Sequence, residues 1–201
     1  MANAVHKALP DAEVILRQDT KHVPYGLRPP EELLGFVVPI FQELVDAGCR
    51  VIVVACNTVT TTIIDELRRR FSLPLIAVEP MVKPAALLTK TKVIAICATP
   101  TTLASSRYAW LKQQYAQGIT VLEPDCSDWA AMIEHSRVEI HKIDERVSMV
   151  LRENADVIVL ACTHYHWIED EINELAAGRA QVIQPEAAII DELKQVLARL
   201  S

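Results

Sequence analysis

Glycine is scarce in this chain, five among 201 residues, and neither G-x-G-x-x-G nor G-x-x-x-x-G-K-[ST] occurs. The backbone cradles that hold dinucleotide and nucleoside triphosphate phosphates are therefore missing, and any cofactor held that way is excluded. The cysteines, Cys49, Cys56, Cys97, Cys126 and Cys162, are odd in number and form no C-x-x-C pair. That fits neither a disulfide framework nor a four-thiolate zinc site, so each is expected to act as a single thiol. Basic residues show no excess: 20 Lys and Arg stand against 26 Asp and Glu, a formal charge of −6. Nucleic acid and anionic lipid are thus not expected partners. No apolar run approaches the roughly 20 residues that span a bilayer, and the first residues lack the basic-then-apolar layout of a signal peptide. A cytoplasmic protein with no membrane partner is the expectation.

Apolar residues make up 51% of the chain and charged residues 23%, the balance of an ordered globular protein with a sizeable core. At roughly 150 residues per domain, the length suits one large or two small domains. Short β-branched runs recur at residues 12–16, 51–55, 74–78, 92–97, 119–122, 157–161 and, weakly, 181–183, and each has the length of a buried strand. Helix-period segments lie between them. Leu33, Val37, Ile40, Phe41 and Leu44 form one, and Ile189, Leu193, Val196, Leu197 and Leu200 another. This alternation predicts an α/β fold with mainly parallel sheets flanked by helices, in which ligands bind beyond the carboxyl ends of the strands.

Two of those strand ends are nearly the same sequence. Val51-Ile52-Val53-Val54-Ala55-Cys56 lies over Val157-Ile158-Val159-Leu160-Ala161-Cys162 with five of six positions identical. Any buried parallel strand can read Val-Ile-Val, but that does not account for a cysteine at both ends. Polar residues and a helix-period segment follow each thiol, so both are expected at a strand end beside a helix N-terminus, a place that lowers a thiol pKa. A spacing of about half the chain suggests two similar lobes, each presenting one cysteine to a shared cleft. Inverting a carbon centre by proton transfer needs a base on one face and an acid on the other, and two facing thiols can exchange those roles. Asn57, Thr58, Thr163 and backbone N–H groups would supply donors to a carboxylate substrate.

At these residues the chain resembles the cofactor-independent aspartate/glutamate racemases, and within them the members that act on glutamate. The matching segments are Asp19-Thr20-Lys21-His22-Val23-Pro24-Tyr25-Gly26, Ala55-Cys56-Asn57-Thr58, Val78-Glu79-Pro80, Thr99-Pro100-Thr101-Thr102 with Ser105 and Tyr108, Asp125-Cys126 with Glu134, and Ala161-Cys162-Thr163-His164-Tyr165. The resemblance implies that Cys56 and Cys162 are the two acid/bases and that His164 assists Cys162, with Glu134 a further site residue. Pro24, Tyr25, Gly26, Asn57, Thr58, Thr99, Thr102 and Thr163 would line a glutamate site. It also implies two pseudo-symmetric lobes with the active site between them, residues 1–81 plus 183–201 forming the first and residues 82–182 the second. No cofactor, no metal and a role supplying D-glutamate for peptidoglycan follow from it, with a homodimer as one assembly left open. The family pattern opens with a strand and a Phe-Asp-Ser-Gly turn, whereas this chain opens on Met1 to Leu9, which reads as the helix that would follow. An incomplete first lobe and poor activity are therefore expected of the chain as it stands.

Other readings compete. Aspartate or another small acid could replace glutamate as substrate, and a two-lobed protein could bind such an acid without turning it over. Cys162, His164 and His166 would share one face if their strand continued, which is the start of a zinc site for a hydrolase. That reading leaves the repeated Cys56 without a role. Cys49, Cys97 and Cys126 read as inert buried thiols, Glu134 taken alone as a solvated charge, and Arg68-Arg69-Arg70 as a solvated helix end.

Overall fold

The computed structural model describes residues 1–200. The chain opens with α1 (Ala2–Ala8), runs through an extended stretch into a 3₁₀ turn at Tyr25–Leu27, and enters α2 (Pro30–Asp46). Pro30 opens α2 at the position where its missing N–H costs nothing, Glu31 and Glu32 complement the dipole, and Gly48 follows the helix at φ +79°. Next come β1 (Ile52–Val54), α3 (Asn57–Arg70), β2 (Leu75–Ala77), α4 (Val82–Leu88), β3 (Val93–Ala98) and α5 (Pro100–Leu103). They lead to α6 (Ser106–Tyr115), β4 (Thr120–Leu122), α7 (Trp129–Glu134), α8 (Ile140–Arg152) and β5 (Val157–Ala161). A second 3₁₀ turn, Thr163–Ile168, leads into α9 (Glu169–Ala176), β6 (Gln181–Ile183) and α10 (Glu186–Leu200).

The strands form two parallel sheets, as the strand–helix alternation requires. One has the order β4-β3-β5-β6, and the other pairs β1 with β2. In the larger sheet successive residues face opposite layers. Ala95, Cys97, Ile158 and Leu160 pack with Trp129, Ile143, Val147 and Ile172, while Ile94, Ile96, Val157 and Val159 pack with Val82, Ala85, Tyr108 and Leu111. Burial on both faces is why β5 is apolar at every position. The smaller sheet is covered in the same way. Ile52 and Val54 meet Leu33, Val37 and Phe41 of α2 and Ile63 and Leu67 of α3, and Ile76 on the other face meets Val5, Ile189 and Leu193. The chain therefore ends on the sheet with which it began, through α1 and α10.

Six of the seven expected strands are present, several shorter by a residue or two at an end. The seventh, residues 12–16, is extended but joins no sheet. A strand is defined by its partner's backbone groups, and among the described residues β1 has a hydrogen-bonded neighbour only in β2. Its other edge borders a cavity that residues 12–17 also line. The charge run Arg68–Arg70 closes α3 as expected, exposed and paired within the helix to Glu66 and Asp65. No helix among the described residues is long and apolar enough to cross a membrane.

One carboxylate ties the larger sheet together at its amino end. Asp156, just before β5, accepts from Thr89 Oγ1 at 2.5 Å and from the backbone N–H of Lys90 and Thr91 at 2.7 and 3.0 Å. Burial raises its pKa, but these donors outweigh that and hold it below the usual carboxylate range. A depressed folded-state pKa stabilises the fold above the unfolded value near 3.8, and the contribution is lost as pH falls through the folded value. Asp156→Ala is expected to cost about 1–2 kcal/mol at neutral pH after allowance for solvent screening, and less in acid. Thermal melts of both proteins from pH 7 down to pH 3 should therefore converge; a gap that stays constant would exclude the carboxylate as its source.

Candidate active site

The two strand-end cysteines occupy equivalent places. Cys56 follows β1 as the residue before α3, and Cys162 follows β5 as the residue before the Thr163–Ile168 turn, both with extended backbone. Each strand delivers its thiol at the carboxyl end, and the turn of helix beyond it points backbone N–H groups at the sulfur. Both cysteines line one cavity of about 790 Å³, together with Pro24, Tyr25, Gly26, Asn57, Thr58, Thr99, Thr163 and His164. The cavity thus joins residues from both sheets.

The thiols do not titrate as their position beside helix ends predicts. Burial raises both pKa values, that of Cys162 to about 12. Backbone N–H groups of Thr58 and Val59 at Cys56, and of His164 and Tyr165 at Cys162, pull the other way but do not offset the lost hydration. The negative charge of Cys56 also opposes ionisation of Cys162, so the two sulfurs are electrostatically aware of one another. With burial outweighing these donors, both sulfurs rest as thiols at neutral pH.

Their partners differ. Cys162 Sγ lies 3.8 Å from His164 Nδ1, and His164 Nε2 lies 3.0 Å from Glu134 Oε2. A carboxylate accepting from Nε2–H leaves Nδ1 with its lone pair free, so the imidazole can accept the Cys162 proton. Glu134 reaches this place from the last residue of α7, behind His164, and does not itself line the cavity. Among the described residues no histidine is bonded to Cys56. Its surroundings are the Thr58 hydroxyl, the α3 amides and the Tyr25 ring, whose pKa the Cys56 charge helps to raise.

Hydroxyls join the two sheets beside the thiols. Thr58 Oγ1 of α3 lies 3.0 Å from Thr99 Oγ1 and 3.4 Å from Thr102 Oγ1, and those two lie 3.1 Å apart. Thr99 caps α5, accepting from the Thr102 N–H. Thr102 is fully buried behind Thr99 and does not line the cavity, so its contact with a ligand is indirect. Asn57 is buried with neither side-chain amide atom paired, a free donor and acceptor at the cavity wall. A Cβ on Gly26 would lie 2.6 Å from Thr99, and Thr101 Oγ1 donates to the Gly26 carbonyl at 2.7 Å. Only glycine permits that approach.

The zinc reading fails on geometry. Among the described residues no three His, Cys, Asp or Glu side chains come together to hold a metal. Cys162 begins a 3₁₀ turn rather than continuing a strand, and His166 faces the Leu160 backbone and Glu186. Cys97 and Cys126 are buried as expected, but Cys49 is only half-buried and lines the cavity. Residues 12–17 also line the cavity with no local pattern to mark them, whereas Asp19 and Thr101, which lie in the matching segments, shape it through Tyr25 and Gly26.

Known proteins share this fold and much of this sequence. Residues 1–193 match the family model described as Asp/Glu/Hydantoin racemase. The chain is 34% identical over 199 residues to the glutamate racemase of Ralstonia pickettii, covering 97% of this chain and 71% of that protein. It superimposes on the Escherichia coli glutamate racemase crystallised with L-glutamate and the activator UDP-MurNAc-ala, with TM-score 0.82 and 25% identity over 98% of this chain and 76% of that one. A glutamate racemase isoform from Bacillus anthracis shares the fold at TM-score 0.85 and 24% identity, covering all of this chain and 77% of the other.

The raised thiol pKa is directly measurable. Because the thiolate is the nucleophile, alkylation of Cys162 by iodoacetamide should be much slower at pH 8 than that of a free thiol. The rate should climb about tenfold per pH unit over pH 7 to 10 without levelling. Peptide mass spectrometry of the modified cysteine measures it, and a plateau below pH 9 would show that the helix-end donors prevail after all.

Proposed function

The chain belongs to the Asp/Glu/hydantoin racemase family, and on that premise we propose that it interconverts L- and D-glutamate by two-base proton transfer between Cys56 and Cys162. The observation that carries this reading is the pair of strand-end thiols lining one cavity from two different sheets. Glutamate rather than aspartate is supported by the relatives named above.

In the proposed reaction one sulfur, as thiolate, removes the α-proton and becomes a thiol, leaving a planar carbanion. The opposite thiol then donates its proton to the other face and becomes the thiolate. Protons balance without an external reductant, and no cofactor is needed. The high thiol pKa suits the task. A desolvated thiolate is a stronger base toward a weakly acidic C–H than a hydrated one, provided a partner takes up the thiol proton first. His164 can do so at Cys162, and Glu134 would stabilise the imidazolium that results. At Cys56 the Thr58 hydroxyl and the α3 amides would support the anion. The unpaired amide of Asn57, with Thr58, Thr99, Thr163 and the Tyr25–Gly26 turn, would hold the two carboxylates and the amino group. Thr102 would act by fixing Thr99. A lobe division at residues 81–82 and 182–183, which we propose with this reading, would put one thiol in each lobe, as a cleft enzyme of this kind requires. D-Glutamate made in the cytoplasm would serve peptidoglycan synthesis.

Proton NMR in D2O with each enantiomer of glutamate and aspartate tests the reading, since turnover erases the α-proton signal. Glutamate should lose it and aspartate should not. Cys56→Ser and Cys162→Ser should each lower racemisation by a factor of at least about 10²–10⁴. Elimination from an analogue with a β leaving group needs one base only, so it should survive for one enantiomer in each variant. Loss of elimination for both enantiomers in both variants would remove the two-base assignment.

A further inference from the structure

The Asp19–His22–Tyr25 cluster is a second organised polar group, and the reaction above uses only the Tyr25–Gly26 turn and gives Asp19 and His22 no part. Four donors from one short segment converge on a single carboxylate whose side chain is only 10% exposed. The Tyr25 phenol donates to Asp19 Oδ2 at 2.6 Å, the His22 ring Nδ1 stands 2.9 Å from both oxygens, and the backbone N–H groups of Lys21 and His22 donate to Oδ1 at 3.2 and 3.1 Å. The His22 ring in turn lies flat on Phe36 of α2, with centroids 4.0 Å apart and planes 1° from parallel. Arg28 donates from Nε to the His22 carbonyl and sets its guanidinium 5.5 Å from the same Phe36 ring. Residues 19–28 are thus wrapped around one aromatic side chain of α2 and knotted at Asp19.

That knot has a mechanical output. Tyr25 is buried in the apolar cluster around β1, and the residue after it makes a close approach across the cavity wall, Gly26 against Thr99, with the Thr101 hydroxyl on the Gly26 carbonyl. Among the described residues no acceptor is found for the Tyr25 and Gly26 N–H groups, and both residues line the cavity. A shift of the phenol would be passed on within one residue to both the donors and the Thr99 contact. A charge-assisted bond to a shielded carboxylate is among the stronger ways of preventing that shift.

We propose that Asp19 is a positioning residue that sets the Tyr25–Gly26 turn against Thr99 and Thr101, so that this part of the substrate wall is built before the substrate arrives. It deepens the function proposed above and rests on it. Asp19 does not touch the reacting atoms. It acts through Tyr25, and its effect belongs to binding rather than to proton transfer.

A double-variant cycle reads that dependence. Asp19→Asn and Tyr25→Phe should each raise KM for glutamate about tenfold while kcat stays within about threefold. The combined variant should be no worse than the poorer single one, because both break the same link. Asp19→Glu should recover part of the loss. Effects that multiply in the combined variant, or a lower melting temperature with KM unchanged, would overturn the proposal. Should Asp19→Asn fail to fold, Tyr25→Phe removes the same bond from the other side, and an unchanged KM there is equally decisive. If the unaltered protein does not racemise glutamate, the functional reading falls. The cycle is then read on alkylation of Cys56 by iodoacetate, a carboxylate-bearing probe, followed by peptide mass spectrometry. Equal, non-multiplying changes in rate sustain the positioning role, and unchanged rates refute it.

Discussion

Withdrawal of the two strand-end sulfurs from water is the constraint around which the site is arranged. A thiol on the surface beside a helix N-terminus would ionise more easily than a free one. Inside this cavity the sign reverses, because the few backbone donors that reach each sulfur replace only part of its hydration. The parallel sheet makes this possible. It brings an apolar strand to its carboxyl end, stops it at a cysteine, and starts a turn of helix beyond, so the same geometry that buries the sulfur also supplies its donors. In the proposed reaction the price is a base that rests in its protonated form, and the surrounding polar groups would manage that proton.

The two sheets meet through small polar contacts rather than a shared apolar core. Apolar clusters gather separately around each sheet, whereas the Thr58, Thr99 and Thr102 hydroxyls and the Gly26–Thr101 bond cross between them. Contacts of that kind hold geometry without the large buried areas that would lock two halves together. Thr58 and Thr99 also line the cavity, so whatever enters it competes for those two hydroxyls.

Much of this was legible in the sequence because it rests on local pattern. The Val-Ile-Val-x-Ala-Cys repeat located both thiols, since a strand buried on both faces must be apolar throughout and a polar break must mark its end. The alternation of β-branched runs with helix-period segments predicted parallel sheets for the same reason. What escaped depended on partners distant in the chain. Residues 12–16 have the composition of a strand, but pairing is decided by a neighbour's backbone, and none is hydrogen-bonded there. The thiol pKa was misjudged because helix ends are visible in a sequence and desolvation is not. Asp19 stands in a matching segment, but its role is not visible there: an acid six residues before a tyrosine becomes a clamp only once the loop closes around Phe36.

The His164–Glu134 pair stands behind one thiol alone, and thermodynamics limits what such lopsidedness can achieve. Enantiomers have equal free energies in an achiral solvent, so for a racemase the specificity constants in the two directions must be identical. A device that eases proton movement at Cys162 cannot make the protein a better catalyst for one enantiomer than for the other. It can only divide that shared constant differently, giving the favoured hand a higher turnover and, in the same proportion, a weaker hold.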